Sequence, residues 1–158
     1  MLRDPSLIPL SRQHQHALAL CVRIERALQC RAVDLGAWQL EMRQLYTDEA
    51  RFHFAAEEEV LFPTARRFPE LVALVEGLNS EHERLREFFG RAEQGVMNQG
   101  ELETFAKLLS GHIRKEEQQL FEVIQMRMEP EALKSLGDEL ARALEDAVQA
   151  CRLRPTQS

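Results

Sequence analysis

HFAAEEEVLFP, at residues 53–63, returns in altered form as HIRKEEQQLFE at residues 112–122, and this repeat is the strongest structural signal in the chain. In both segments a histidine is followed by glutamate at the fourth and fifth positions, by leucine at the eighth and by phenylalanine at the ninth. Residues three and four apart share one face of a helix. The repeat therefore predicts two helices that carry the same polar groups on the same face.

Each repeat places a histidine and a glutamate one helical turn apart. His53 and Glu57 are spaced i and i+4, as are His112 and Glu116. Apolar residues surround both histidines at helical spacing, so the pairs are expected to face a core, where unpaired imidazole and carboxylate groups are costly to bury. Imidazole and carboxylate are common metal ligands. Against the alternative of two solvated helix faces, the repeat predicts two halves of a metal site.

Length and composition exclude several classes of protein. The chain has 158 residues, which predicts a single domain over residues 1–158. Its net charge of −6 and its lack of a dense basic cluster predict no nucleic-acid partner. No apolar run approaches the ~20 residues that span a bilayer, which predicts no membrane partner. Cys21, Cys30 and Cys151 are odd in number and far apart, which indicates reduced thiols and a cytoplasmic location.

Proline, glycine and apolar periodicity predict an all-α fold of five helices. Asp34 is the expected cap of the second helix. The buried side of that helix is predicted to include Phe52, and the buried side of the fourth to include Val123. The first four helices, within about residues 7–128, form the predicted bundle. The five helices are expected near residues 10–28, 36–67, 69–93, 101–127 and 131–151.

The last predicted helix carries no histidine and has one apolar stripe, which ends at Ala147 and Cys151. Such a stripe is typical of a helix that packs on one surface. We predict either a brace against the bundle or a contact in a homodimer. The tail that follows, RLRPTQS, is expected to fray.

Two further histidines lie on apolar stripes, one on each of the remaining bundle helices. His14 shares a stripe of the first helix with Leu10 and Cys21, whereas His16 lies on another face, so His14 is the favoured ligand. His82 lies on the stripe of the third helix. The i+4 rule favours Glu57 over Glu58, and Glu116 over Glu117, with the second glutamate of each pair left as an outer partner or an alternative ligand.

Four imidazoles and two carboxylates facing one bundle core predict a site for two iron ions, because these donors suit iron and carboxylates can bridge two metals. Zinc and manganese accept the same donors. The predicted metal ligands are His14, His53, Glu57, His82, His112 and Glu116.

The ordered motifs QHQHAL, HFAAEEEVLFP, SEHERL and HIRKEEQQLF resemble those of the hemerythrin-like (HHE cation-binding) family over about residues 7–128. The resemblance implies an up-down antiparallel four-helix bundle with a non-haem di-iron centre held by the six residues named above. It also implies a role in oxygen binding, in sensing or handling oxygen, nitric oxide or peroxide, or in iron responses.

The chain departs from the oxygen-carrying hemerythrins at two places. Arg86 stands where they have a second histidine on the third helix, and the last motif has glutamate at the fourth position instead of aspartate at the fifth. One imidazole fewer leaves a coordination position for water, another side chain or an exogenous ligand, such as a small diatomic molecule or peroxide. We therefore expect a protein that binds metal and a small oxidant rather than a dedicated enzyme. The alternatives are a peroxidase- or catalase-like di-iron enzyme and a metal-free interaction module.

Overall fold

The computed structural model describes residues 2–152, apart from the side chains of residues 147, 148 and 150–152. This part of the chain contains five helices and no strand, which confirms the predicted all-α class. The predicted stripe positions Ala147 and Cys151 and the end of the tail lie outside what is described. No helix in the described part is both long and apolar enough to cross a membrane. The helices are α1 (Ile8–Gln29), α2 (residues 35–65), α3 (Val72–Gln94, after a 3-10 turn at Pro69–Leu71), α4 (residues 99–127) and α5 (Pro130–Arg152).

The helix boundaries follow from local capping groups. The Asp34 side chain accepts a hydrogen bond from the backbone N–H of Ala37 at 3.0 Å, which confirms the predicted cap of α2. Asn98 and Glu101 form a reciprocal capping box at the start of α4. Gly95 ends α3 with a positive φ of 70°, a conformation that glycine adopts without strain.

Helices α2 and α4 contain π-helical turns, which the sequence did not predict. Two of these turns begin at the glutamates of the repeated motif, at Glu57–Leu61 and Glu116–Leu120, and a third lies at Tyr46–Ala50. A π turn holds more residues than an α turn and rotates the following residues around the helix axis. The chain therefore changes its buried face next to the polar motif, where such turns often accompany functional sites.

The π turns explain two errors in the predicted core. Val123 was expected to be part of the core, but it is only half-buried against it, whereas Phe121 and Ile124, directly after the π turn of α4, are fully buried. Phe52 was expected on the buried side of α2, but Phe54 occupies it, shortly after the turn at residues 46–50. Both predictions assumed an uninterrupted period of 3.6 residues, which these turns break.

The apolar core has two parts, one on each side of a layer of polar residues. One part includes Leu10, Phe62 and Phe121, and the other includes Ile24 and Phe105. Helix α5 belongs to the first part of the core. Its apolar stripe packs against α2, and three leucines of α5 are buried there. This packing supports the brace interpretation of α5. The three leucines are Leu133, Leu136 and Leu140.

Candidate metal centre

The polar layer is built from the six residues that the sequence predicted as metal ligands. All are buried, and the most exposed of them retains 5% of its accessible surface. Each helix of the four-helix region contributes at least one, and α2 and α4 contribute two each. They are His14 from α1, His53 and Glu57 from α2, His82 from α3, and His112 and Glu116 from α4.

The first half of the centre consists of His14 and His53 with one oxygen from each buried glutamate. The two Nε2 atoms lie 3.0 Å apart. His53 Nε2 lies 3.0 Å from Glu57 Oε1, and His14 Nε2 lies 3.1 Å from Glu116 Oε2. The distance from His14 Nε2 to Glu57 Oε1 is wider, at 3.8 Å. Four donor atoms therefore surround one point.

The second half repeats this arrangement with His82 and His112. Their Nε2 atoms lie 3.1 Å apart. His82 Nε2 lies 3.3 Å from Glu57 Oε2, and His112 Nε2 lies 3.1 Å from Glu116 Oε1. Each glutamate thus directs one oxygen to each half. The two halves share both carboxylates, as bridging ligands of a two-metal site would.

Hydrogen bonds at the opposite ring nitrogens fix the tautomers in the first half. His14 Nδ1 lies 2.7 Å from Glu117 Oε1, and His53 Nδ1 lies 2.8 Å from Gln13 Oε1. These oxygens only accept, so each Nδ1 carries the proton and donates it. In the neutral imidazoles the Nε2 lone pairs are then bare and face one another, which makes them ready to bind a cation.

The second half has the same tautomers for the same reason. His82 Nδ1 donates to Glu58 Oε1 at 2.8 Å, and His112 Nδ1 donates to Glu81 Oε2 at 2.9 Å. An outer carboxylate that accepts from a ligand imidazole orients the ring and strengthens it as a donor to metal. Glu58 and Glu117 therefore act as outer partners in this geometry, and Glu57 and Glu116 occupy the inner positions.

A basic side chain neutralises each of the three outer carboxylates. Arg86 contacts both oxygens of Glu58, at 2.7 and 3.0 Å. Burial raises the pKa of Glu58, but hydrogen bonds from His82 and Arg86 outweigh it and lower the pKa to about 2. Arg86, which replaces a histidine of the oxygen carriers, is thus a partner of the second half. The other two ion pairs are Arg3 with Glu117 and Lys115 with Glu81.

The inner carboxylates leave four buried oxygen atoms without hydrogen-bond partners. Neither oxygen of Glu57 nor of Glu116 has a hydrogen bond of acceptable geometry, although imidazole nitrogens lie close to each. Ligands ~2.1 Å from one ion and at right angles to one another are ~3.0 Å apart. Four of the nitrogen–oxygen separations lie at 3.0–3.3 Å, close to that value, and the fifth, from His14 Nε2 to Glu57 Oε1, is 3.8 Å. The residues therefore fit a metal ion in each half.

Electrostatics indicate that protons and metal compete for the same nitrogens. Burial lowers the pKa of His14, but the adjacent carboxylates of Glu116 and Glu117 outweigh it and raise the pKa to about 9. Burial likewise opposes protonation of His112, yet Glu116 and Glu81 raise its pKa to about 10. Metal binding must therefore displace protons.

Aromatic rings enclose the centre on several sides. Phe54 and Phe62 stack on the His82 ring at centroid distances of 4.1 and 5.4 Å, and Phe121 stacks on His14 at 5.5 Å. A cavity of about 30 Å³ borders the centre beside the first half, with room for roughly two water-sized groups. Its apolar lining includes Ala17, Leu45, Ala50, Leu109 and Ile113.

His16, the alternative to His14, lies outside the centre, as do the nearby Tyr46 and Cys21. His16 is exposed and lies 2.9 Å from a carboxylate oxygen of Glu49. Tyr46 stacks on Phe89 at 4.7 Å instead of entering the cavity lining. Burial raises the pKa of the Cys21 thiol to about 12, so this cysteine is unreactive.

Gln13 and Glu81 are two outer partners that were not predicted from the sequence. Both immediately precede a ligand histidine, yet each contacts the histidine of the following helix. The local sequence signal for these outer partners is a polar residue directly before a ligand histidine, as in Gln13–His14 and Glu81–His82. It indicates a contact only when the positions of the neighbouring helices are known.

A helical bundle that buries four histidines and two shared glutamates between its helices has the architecture of a non-haem metal-binding bundle. A model of the hemerythrin HHE cation binding domain matches residues 9–124, and the chain belongs to this family. No curated protein and no solved structure matches the chain.

Proposed function

We propose that the protein binds two non-haem iron ions, one in each half of the centre, and that the pair binds a small oxidant in order to sense or process it. The observation that carries this proposal is the convergence of four imidazole Nε2 atoms on four carboxylate oxygens that have no hydrogen-bond partner. Buried groups of this kind are costly unless a cation joins them. The proposed ligands are His14, His53, Glu57, His82, His112 and Glu116.

The donor set favours iron over zinc. Each half offers two nitrogens and two oxygens, a mixture that suits iron. Ligands ~2.1 Å from a tetrahedral zinc ion would be ~3.4 Å apart, whereas right-angle ligands would be ~3.0 Å apart. Three of the nitrogen–oxygen separations, at 3.0–3.1 Å, match the right-angle value, whereas His82 to Glu57 is 3.3 Å and His14 to Glu57 is 3.8 Å, and iron would accept this range more readily than a tetrahedral ion would. Four protein donors then leave positions for small exogenous ligands.

The small cavity supports a ligand of two or three heavy atoms, such as oxygen, nitric oxide or peroxide. Bound ferrous iron would supply electrons and open coordination positions for such a ligand. The chain supplies the surroundings. Outer partners keep protons on the four Nδ1 atoms, and the stacked phenylalanines restrict water next to His14 and His82. The mostly apolar lining favours a small, weakly hydrated molecule over a polar metabolite.

An up-down antiparallel arrangement of α1–α4 is part of the proposal. Along α1 the residue numbers rise from Gln13 to Arg23, while their partners on α2 fall from His53 to Glu41. Contacts between α2 and α3, and between α3 and α4, have the same opposite order. Such pairing supports neighbouring helices that run in opposite directions.

A cytoplasmic location also belongs to the proposal. The described thiols, Cys21 and Cys30, are both unpaired, which supports a reducing compartment.

The test is anaerobic loading with ferrous iron, followed by iron analysis and optical spectra after exposure to oxygen, nitric oxide or peroxide. The wild type should retain about two irons per chain, as a two-metal site requires, and its spectrum should change with at least one oxidant. His14→Ala should lose iron, whereas the control His16→Ala should match the wild type, because His16 lies outside the centre.

Absence of iron after loading would contradict the metal centre. Rapid multiple turnover of peroxide in stopped flow would instead favour the enzyme alternative.

A further inference from the structure

The two halves of the centre have different surroundings. The cavity lining includes both imidazoles of the first half, His14 and His53, together with Gln13, whereas the second half contributes only His112. His82 of the second half is absent from that lining and is covered by two stacked phenylalanine rings. A small molecule in the cavity therefore meets the first half, at the end where Gln13 lies.

Gln13 is also the exception among the outer partners. Three imidazoles donate to carboxylates, but His53 donates to the amide oxygen of Gln13 at 2.8 Å. An amide carries no charge, and unlike a carboxylate it also has two N–H donors. A carboxylate at this position would have made the four outer contacts equivalent. With the amide, His53 has an uncharged outer partner, whereas each of the other three imidazoles has a carboxylate.

The orientation of Gln13 leaves its donors available. Its Oε1 is committed to His53 Nδ1, so the amide nitrogen points away from that bond. Within the described chain the structure gives this nitrogen no partner, although the side chain is half-buried and lines the cavity. The exposed lining is mostly apolar, and Gln13 contributes the one amide among the lining residues, beside the carboxylates of Glu49 and Glu116.

We propose that Gln13 determines which ligands the centre accepts, by orienting His53 through its carbonyl oxygen and donating an N–H to a small ligand with an acceptor atom, such as azide or nitric oxide, in the cavity. This inference rests on the proposed function, because it assumes iron in the first half. A neutral donor stabilises an acceptor atom without adding the positive charge that an arginine would bring.

The test compares Gln13→Glu with Gln13→Met in iron-loaded protein. Glutamate still accepts from His53 but cannot donate to the ligand, so iron content should remain near that of the wild type. The dissociation constants of azide and of nitric oxide, measured by optical titration, should both rise about tenfold or more, as expected for a lost hydrogen bond. Methionine removes both functions, and should also weaken iron binding about 10- to 100-fold.

Gln15→Glu is the matched control, because it makes the same change on an exposed position of α1. It should leave both dissociation constants within about twofold of the wild type. A loss confined to azide would indicate simple charge repulsion and overturn the donor role, as would wild-type affinities in Gln13→Glu. If the wild type itself held no iron, the proposed function would fail instead, so the two failures are distinguishable.

Discussion

Replacing Glu116 by glutamine should abolish iron binding in both halves of the centre, whereas the same change at Glu117 should only weaken it. One Glu116 oxygen lies 3.1 Å from His14 Nε2, and the other lies 3.1 Å from His112 Nε2. Glutamine keeps the size of the side chain but offers one neutral oxygen instead of two charged ones. Glu117 contacts only His14 Nδ1, the ring nitrogen that faces away from the centre, so its replacement should weaken iron binding in the first half alone.

The size of the effect follows from linkage between binding and folding. Iron at 100 times its dissociation constant stabilises the folded chain by about 2.7 kcal/mol per half, or about 5 kcal/mol for both. For a domain of this length, that raises the Tm by roughly 10–20 °C. Loss of an outer partner weakens binding about 10- to 100-fold. Glu117→Gln should therefore retain about 3–4 kcal/mol of the stabilisation, whereas Glu116→Gln should retain almost none.

The assay is thermal unfolding followed by circular dichroism, with metal-free and iron-loaded samples of the wild type and both variants. All three metal-free proteins should stay helical, because two apolar core clusters remain intact. Equal iron-dependent shifts in the two variants would refute the distinction between inner and outer glutamates. A full wild-type shift in Glu116→Gln would refute the bridging role.

Two more predictions concern pH and packing. In metal-free protein the pKa values of His14 and His112 are raised to about 9 and about 10. The two protonated histidines therefore stabilise the folded chain fully below the unfolded pKa of about 6.5, and this stability is lost as the pH rises through the folded pKa values. Iron binding strengthens over the same range, so the Tm difference between loaded and metal-free protein should widen from pH 6.5 to 9, and a constant difference would contradict proton competition. Gly137→Ala should lower the free energy of unfolding by about 1–3 kcal/mol, because its Cβ would lie 2.6 Å from Ser6 Cβ. The control Gly111→Ala, with open space around its Cβ, should raise it by up to about 1 kcal/mol in urea unfolding, and a stabilised Gly137→Ala would contradict the close packing.

The helices and the inner residues of the centre could be predicted because their signals are local. Helical spacing alone placed His53 with Glu57, and His112 with Glu116, on common faces. The apolar stripe of α1 separated His14 from His16, and the structure places only His14 in the polar layer. Stop signals such as Gly95 set the helix ends within a few residues.

The outer partners could not be predicted because they depend on how helices lie against one another. Gln13 and Glu81 each contact a histidine on a neighbouring helix, at sequence separations of 40 and 31. The i+4 rule also gives no reason for the π turn that begins at each inner glutamate. The prediction without those turns therefore chose Val123, which is half-buried, over Phe121 and Ile124, which are fully buried.

The central claim is that Glu57 and Glu116 bridge two metal ions. A crystal structure of the iron-loaded protein, with anomalous scattering measured on both sides of the iron absorption edge, tests it most directly. The account predicts two iron peaks per chain, one beside His14 and His53 and one beside His82 and His112, with an oxygen of each glutamate directed to each peak. A single peak, or two peaks without the shared carboxylates, would contradict it.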